Sequence, residues 1–181
     1  MGRANAFVSR QVRQISAAFP QLEGVPASAQ DRVSAVGNPI RADIAAVGET
    51  AFAPPKPDGA LNLLVFGGSQ GAAVFASLLP AALNRLSPAE CARLHVVAQI
   101  RDESRAETKA RLAALALGRL EIAPFFSDMP QRLAAAHLVL SRSGATTVHE
   151  LAAAWAEAGN ARRWEALEEQ RWALLATVKR T

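Results

Sequence analysis

The chain has 181 residues, of which 50% are hydrophobic and 20% charged, and its formal net charge is +4. This length and composition suffice to bury a hydrophobic core, which excludes an intrinsically disordered protein or a small disulfide scaffold. Cys91 has no partner for an intrachain disulfide, and no apolar run reaches the roughly 20 residues of a membrane-spanning helix. We expect one domain, or one with an appendage, in a reducing cytoplasmic compartment.

The positive charge does not indicate a nucleic-acid partner. The basic residues are scattered, tyrosine is absent, and aromatic residues make up only 6% of the chain. Surfaces on which bases stack are difficult to build from so few rings. The first 41 residues carry five arginines against two acidic residues. We interpret this excess as an ordinary solvated surface, with contact to phosphates or an anionic membrane as the alternative.

The first 60 residues give weak signals of secondary structure. Residues 5–18 fit a short helix or a strand equally well. Residues 33–36 predict a strand that ends at the turn Gly37-Asn38-Pro39, because proline lacks a donor and disfavours helix at the preceding residue. Three prolines within residues 48–59 predict a linker.

From residue 61 onward, strand-like and helix-like patterns alternate. The predicted strands are 61–66, 93–98, 120–122 and 138–140, and the predicted helices are 70–86, 103–117, 128–136 and one beginning near Ala145. Val74 and Leu79 are expected on the inner side of the first of these helices, and Ser127 as the N-cap of the third. This order predicts an α/β fold, half of a doubly wound parallel sheet, which binds ligands at the carboxyl ends of its strands.

A glycine-rich loop, residues 67–72 (GGSQGA), follows the first of these strands. Glycines let backbone N–H groups approach an anion closely, and the following helix adds the positive end of its dipole. We therefore predict that Gly68, Ser69 and Gln70 bind a phosphate or diphosphate. The loop matches neither the Walker pattern nor Gly-x-Gly-x-x-Gly, so ATP hydrolysis and a nicotinamide cofactor are not indicated. The alternative is a tight turn without a ligand.

A similar loop, residues 141–150 (SRSGATTVHE), follows the last strand. Thr147 and Glu150 have the spacing of a capping box, in which a hydroxyl and a carboxylate satisfy the first helical N–H groups. The alternative is that Glu150 accepts hydrogen bonds from the two ribose hydroxyls of a nucleotide.

The sequence does not indicate a catalytic triad or a metal site. His95 and His137 are expected to pack or lie at the surface, and no acid or nucleophile is obviously paired with His149. No Asp-x-Asp pair is present to hold a divalent metal on a nucleotide diphosphate. We predict no metal, no cofactor and no catalytic residue.

Four segments occur in the order and at the spacing seen in the MurG family. They are 37–41 (GNPIR), 66–72 (FGGSQGA), 125–129 (FFSDM) and 141–151 (SRSGATTVHEL). The chain resembles this family over residues 2–154. MurG enzymes transfer N-acetylglucosamine from UDP-N-acetylglucosamine to lipid I, which gives lipid II in bacterial peptidoglycan synthesis. The resemblance implies a partial GT-B glycosyltransferase, with an incomplete C-terminal, donor-binding half and a Rossmann-like sheet.

The resemblance also implies which residues bind the donor. Arg41 and Ser69 would meet the diphosphate, and the backbone of Phe126, where the family commonly has an aliphatic residue, would lie against uracil. Glu150 would bind the ribose. The whole implied donor site is Arg41, Gly68, Ser69, Gln70, Phe126, Ala145, Thr146, Thr147, Val148, His149 and Glu150.

The chain departs from the family at both ends. Residues 1–40 resemble a remnant of the acceptor domain and the interdomain connection, 41–154 an incomplete UDP-sugar-binding domain, and 155–181 a divergent amphipathic helical tail. The part that supplies the family's base is missing, so we expect the chain alone to be inactive. Lipid I and an anionic membrane surface, at the cytoplasmic face of the inner membrane, are implied partners only through the missing domain. Two alternatives stay open: a donor-binding subunit with a separate membrane-bound acceptor-domain partner, and a nonfunctional fragment.

Overall fold

A computed structural model describes residues 2–51, 53–67, 73–142 and 144–155, with the backbone alone at residues 102, 145 and 155. The chain forms two compact units, Met1–Pro39 and Ile40–Thr181. Most of the tail predicted at residues 155–181 lies outside the described residues.

The first unit contains one short helix, two strands and a 3₁₀ helix. These are α1 (Arg3–Val8), β1 (Ile15–Ala17), the 3₁₀ helix Ala27–Arg32 and β2 (Val33–Ala35). The ambiguous residues 5–18 thus form a helix followed by a strand. The two strands pair in parallel, with Ile15 opposite Val33. Gly37 then turns the chain with a φ of +78°, in the left-handed region that favours glycine.

The second unit holds most of the secondary structure. Its elements are α2 (Ala42–Ala45), the 3₁₀ helix Ala46–Glu49, β3 (Leu61–Phe66), α3 (Ala73–Leu83), α4 (Pro88–Arg93), β4 (Leu94–Gln99), α5 (Asp102–Ala113), β5 (Arg119–Ala123), α6 (Met129–Ala135), β6 (Leu138–Ser141) and α7 (Ala145–Trp155). The described residues between 50 and 60 form no helix or strand, as the prolines predict.

Strands β3 to β6 form one parallel sheet in the order β5-β4-β3-β6. All four strands were predicted. The first is an apolar run after the proline-rich segment, and each of the other three follows a helix-like segment. Parallel strands joined by helices place their carboxyl ends along one edge. The predicted α/β fold with a parallel sheet is confirmed.

Each face of the sheet is covered by a separate hydrophobic cluster. Along β3, Leu63 and Val65 pack into the first cluster with helices α3 and α5, whereas Leu64 and Phe66 pack into the second. The alternation follows from the two-residue period of a strand. The second cluster also contains Leu133 of α6 and residues of α2 and α7. Burial on both faces explains why every residue of β3 except Asn62 is apolar.

The first predicted helix of this sheet differs from the observed one in where it ends and in one inward residue. Within the described residues α3 ends at Leu83; Leu79 is buried as predicted, whereas Val74 is exposed and Phe75 is buried beside Leu79 instead. Nearly every residue of α3 is apolar. The hydrophobic pattern therefore could not determine which side faces the sheet.

Other helix boundaries also differ from the prediction. Helix α5 ends at Ala113 rather than 117, because Ala116 adopts a φ of +51° and the Gly118 N–H bonds to the Cys91 carbonyl at 3.1 Å. The N-cap of α6 is Asp128, not Ser127, since the helix begins at Met129.

Helices α2 and α4 were not predicted. For α4 the signal was present, because Ser87 and Glu90 form a capping box with Pro88 between them.

Candidate functional site

The two predicted loops leave neighbouring strands at one edge of the sheet. Phe66 at the end of β3 is the register partner of Ser141 at the end of β6. The glycine-rich loop therefore begins directly beside the segment that leads into α7. Gly68, Ser69 and Gln70 lie outside the described residues. The structure therefore establishes that the two loops begin next to each other, at the ends of β3 and β6.

Arg41 and Glu150 form an ion pair in the second unit. The Arg41 Nε lies 3.4 Å from Glu150 Oε1 and 3.8 Å from Asp43 Oδ1. Arg41 is the N-cap residue of α2, and its carbonyl accepts bonds from the N–H groups of Ile44 and Ala45. The Arg41 side chain is 55% exposed, whereas that of Glu150 is 19% exposed. Two residues separated by 109 positions thus lie side by side, with the arginine open to solvent.

The predicted capping box of Thr147 and Glu150 is wrong. Helix α7 begins at Ala145, so Thr147 is already its third residue and cannot be the N-cap. The Val148 N–H bonds to the Gly144 carbonyl at 2.9 Å, as in an ordinary first helical turn. The Glu150 carboxylate is instead held beside Arg41.

The first turns of α7 follow directly from the carboxyl end of β6. Thr146 and Val148 are exposed, and Thr147 and His149 are partly buried. The first N–H groups of a helix lack intrahelical acceptors and carry the positive end of the dipole, so this end of α7 suits an anion or a polar ligand.

Phe126 lies in the loop between β5 and α6, with its side chain almost fully buried. The Arg132 guanidinium lies over its ring, 3.9 Å from the centroid. Arg132 also bonds to Glu121 at 2.6 Å and to Asp128 at 2.7 Å. These bonds lower the pKa of both carboxyl groups and raise the pKa of Arg132. Because the ring is turned inward, it is not available to stack on a ligand.

One hydrophobic cluster connects all four sequence motifs. The second cluster includes Phe66, which precedes the glycine-rich loop, and Ile40, Met129 and Leu151 pack against it. Ile40 is adjacent to Arg41, Leu151 is adjacent to Glu150, and Met129 ends the segment that contains Phe126. Packing around this core therefore holds the motifs around one part of the second unit.

A groove of about 250 Å³ lies between the sheet and α6. Some of its walls come from the amino-terminal halves of three strands, at Asn62, His95 and Arg119. The groove also reaches Arg132 and its two carboxylate partners, so it borders the charged network beside Phe126. His137 serves the fold near it, where its Nδ1 accepts the Asn62 N–H at 3.0 Å.

The described part of the chain contains no group of three His, Cys, Asp or Glu side chains that could hold a metal ion. None of the helices described there is long and apolar enough to cross a membrane.

The sequence interpretation missed Asp43 and Arg132. The Asp128–Arg132 spacing of four residues is a recognisable helical ion pair. The contacts of Arg132 with Glu121 and Phe126, and of Asp43 with Arg41, carried no comparable signal.

A parallel sheet in the order β5-β4-β3-β6, with its strands joined by helices, defines a Rossmann-like α/β domain. Residues 62–158 match the Glycosyltransferase family 28 C-terminal domain, and the chain belongs to this family.

Relatives of the chain are UDP-N-acetylglucosamine–N-acetylmuramyl-(pentapeptide) pyrophosphoryl-undecaprenol N-acetylglucosamine transferases. One from Methylorubrum extorquens is 50% identical over 84% of the chain and 42% of the relative. One from Rhodopseudomonas palustris is 47% identical over the same shares. The chain thus spans about two fifths of the length of these relatives.

A solved structure shows the same fold. The crystal structure of Acinetobacter baumannii MurG superposes with a TM-score of 0.56 at 30% identity, covering 83% of the chain and 39% of that enzyme. The predicted resemblance to MurG and the partial GT-B fold are confirmed.

Proposed function

We propose that the second unit binds UDP-N-acetylglucosamine as the donor half of a lipid II-forming transferase, with the first unit as the end of the acceptor domain. The contact between Arg41 and Glu150 is the observation that supports this most directly. Arg41 would bind the diphosphate together with the glycine-rich loop, and Glu150 the ribose. Residues 145–149 would line the nucleotide, and the backbone of Phe126 would contact uracil.

The charges of the pair suit a nucleoside diphosphate. Arginine offers several N–H donors to phosphate oxygens, and a carboxylate accepts from both hydroxyls of a diol. In the free protein each side chain satisfies the other. Because Arg41 is half exposed, this ion pair contributes only about 0–1 kcal/mol to stability. A bound nucleotide can therefore replace it at little cost.

Calorimetric titration with UDP-N-acetylglucosamine tests the proposal. Arg41→Ala and Glu150→Ala should each weaken binding roughly 10- to 100-fold, since a charged hydrogen bond contributes about 1.5–3 kcal/mol. Arg111→Ala and Glu107→Ala remove a comparable exposed ion pair on α5, 3.9 Å apart, and should leave affinity unchanged.

The ribose contact can be isolated with 2′,3′-dideoxy-UDP. The wild-type chain should prefer UDP over this analogue. Glu150→Ala should remove most of that preference, because the ribose hydroxyls and the Glu150 carboxylate are the donors and the acceptor of the same hydrogen bonds. A wild-type chain that binds neither nucleotide would show the proposal to be wrong.

A further inference from the structure

Arg132 joins three segments of the second unit. Its Nη2 donates to Glu121 Oε1 on β5 at 2.6 Å, and its Nε donates to Asp128 Oδ1 at the start of α6 at 2.7 Å. The Cζ of the same guanidinium lies over the Phe126 ring, 3.9 Å from its centroid. The side chain of Arg132 is 18% exposed, whereas those of Glu121 and Asp128 are 32% and 49% exposed, so water reaches the carboxylate side of the network.

The ion pairs fix how the guanidinium lies on the ring. Two charged hydrogen bonds from different nitrogens hold the planar group in one orientation, and a cation over an aromatic face adds an attraction of its own. Lysine cannot reproduce this arrangement, because its ammonium is a point charge without a plane.

Other bonds hold the beginning of the same loop. The Gln99 side chain on β4 donates to the Pro124 carbonyl at 3.1 Å, and the Ile100 N–H donates to the Ala123 carbonyl at 3.0 Å. The loop is thus bonded to β4 and the residue after it on the amino-terminal side of Phe126. Arg132 contacts the loop at Phe126 itself and at Asp128. Phe126 stands between two fixed points, so its backbone position depends on both.

We propose that Arg132 is a positioning residue that sets the backbone of Phe126 for recognition of a uracil base. The proposal rests on the proposed function, which brings uracil to this backbone. A peptide group offers one donor and one acceptor. Uracil presents a donor at N3 and an acceptor at O4, whereas cytosine presents the reverse. A fixed peptide that matches one base therefore mismatches the other, and a displaced peptide loses the distinction.

The test measures the affinities of the 181-residue chain for UDP and CDP by calorimetry. Arg132→Lys should weaken UDP binding about tenfold, as expected for the loss of a positioned hydrogen bond, and leave CDP binding within about twofold. Arg111→Lys on α5 is the matched control and should change neither affinity. Thermal unfolding of each variant shows that the folded protein is being compared.

A second background tests whether Arg132 acts through the ring. With Phe126→Leu, which removes the ring, Arg132→Lys should reduce the preference for UDP over CDP by a smaller factor than in the wild type. If Arg132→Lys does not fold, Asp128→Asn removes one ion-pair charge and should lower the preference in the same direction.

Three results would count against the proposal. A wild-type chain that prefers UDP, combined with variants that keep the full preference, would overturn the role of Arg132 and leave the proposed function intact. If Arg132→Lys reduced the preference for UDP over CDP equally in the wild type and in Phe126→Leu, Arg132 would not act through the Phe126 ring. A wild-type chain that binds neither nucleotide would overturn the proposed function and this inference together.

Discussion

Glu150 shows how the role of one carboxylate depends on which residue begins its helix. The spacing of Thr147 and Glu150 fits a capping box, but α7 begins two residues before Thr147. The hydroxyl is therefore inside the helix, and the carboxylate is left to meet Arg41 at 3.4 Å. A shift of three residues in the start of α7 would change Glu150 from a capping group into the partner of Arg41 that is observed.

Gly118 is required by close packing rather than by an unusual backbone angle. A Cβ at this position would collide with the Ala92 carbonyl oxygen, a backbone atom that cannot move alone. Gly118→Ala should lower the free energy of unfolding by about 1–3 kcal/mol, as overpacking does. Urea denaturation measures this loss.

Gly144→Ala is the matched control for that experiment. Its Cβ would meet only the Thr147 hydroxyl at 3.7 Å, an ordinary contact, so the expected cost is that of a poorer N-cap, about 0.5–1 kcal/mol. Equal losses in the two variants would contradict the packing argument.

Among the helices, α6 lies in the connection between β5 and β6, the two edge strands of the sheet. It carries Arg132 toward Glu121 and Leu133 into the second cluster. One helix therefore contributes both to the charged network and to the core beneath the candidate site. Substitutions at Arg132 and at Leu133 can test these two contributions separately.

The charged network predicts a pH dependence of stability. The pKa values of Glu121 and Asp128 are lowered mainly by their hydrogen bonds with Arg132. The folded carboxyls therefore bind fewer protons than the unfolded ones, and their contribution is complete above the ordinary carboxyl pKa of about 4. That contribution is lost as the pH falls through the lowered values.

Denaturation of the wild type and of Arg132→Met at several pH values measures this effect. The difference in unfolding free energy between them should shrink as the pH falls from about 6 to about 3. Arg111→Met removes an exposed pair and should give a smaller, nearly pH-independent difference. A wild-type advantage that grows in acid would contradict the prediction.

Two buried leucines distinguish the core beneath the site from the core on the other face. Leu133 of α6 and Leu112 of α5 are both almost fully buried, in the second and first clusters respectively. Each change to alanine should cost about 2–5 kcal/mol of stability. Only Leu133→Ala should also weaken donor binding by the folded protein, because its cluster supports Ile40, Met129 and Leu151. Calorimetry showing equal affinities for the two variants would contradict this.

At the scale of the whole molecule, the chain spans about two fifths of the length of its full relatives. Sugar transfer requires the donor and acceptor to be held together and a base near the attacking hydroxyl. The proposed donor site would hold the donor, but it supplies neither a place for the acceptor nor a base.

We therefore expect the purified 181-residue chain to bind UDP-N-acetylglucosamine without transferring the sugar to lipid I. Transfer of labelled N-acetylglucosamine is the measurement, with a full-length relative as the positive control. Transfer above background by the chain alone, abolished by Glu150→Ala, would contradict this prediction.

Much of the fold could be predicted because its signals are local. The apolar run Leu61–Phe66 is a strand in the predicted position, and the alternation of strands and helices indicated the parallel sheet. The orientation of α3 was predicted only in part, correctly for Leu79 and wrongly for Val74, because its residues are apolar on nearly all sides. The spacing of Ser87 and Glu90 is that of a capping box, which the sequence interpretation missed as a sign of α4.

The sequence by itself determined the sheet, the two loops and the family to which the chain belongs, because strand periods, glycines and motif spacing are properties of neighbouring residues. Only the tertiary structure decided that Glu150 meets Arg41 and that Arg132 holds Phe126. The positions 41 and 150 are far apart in the chain, and the orientation of each side chain depends on helices packed around a shared core. Contacts of that kind are fixed by packing, which no single stretch of sequence encodes.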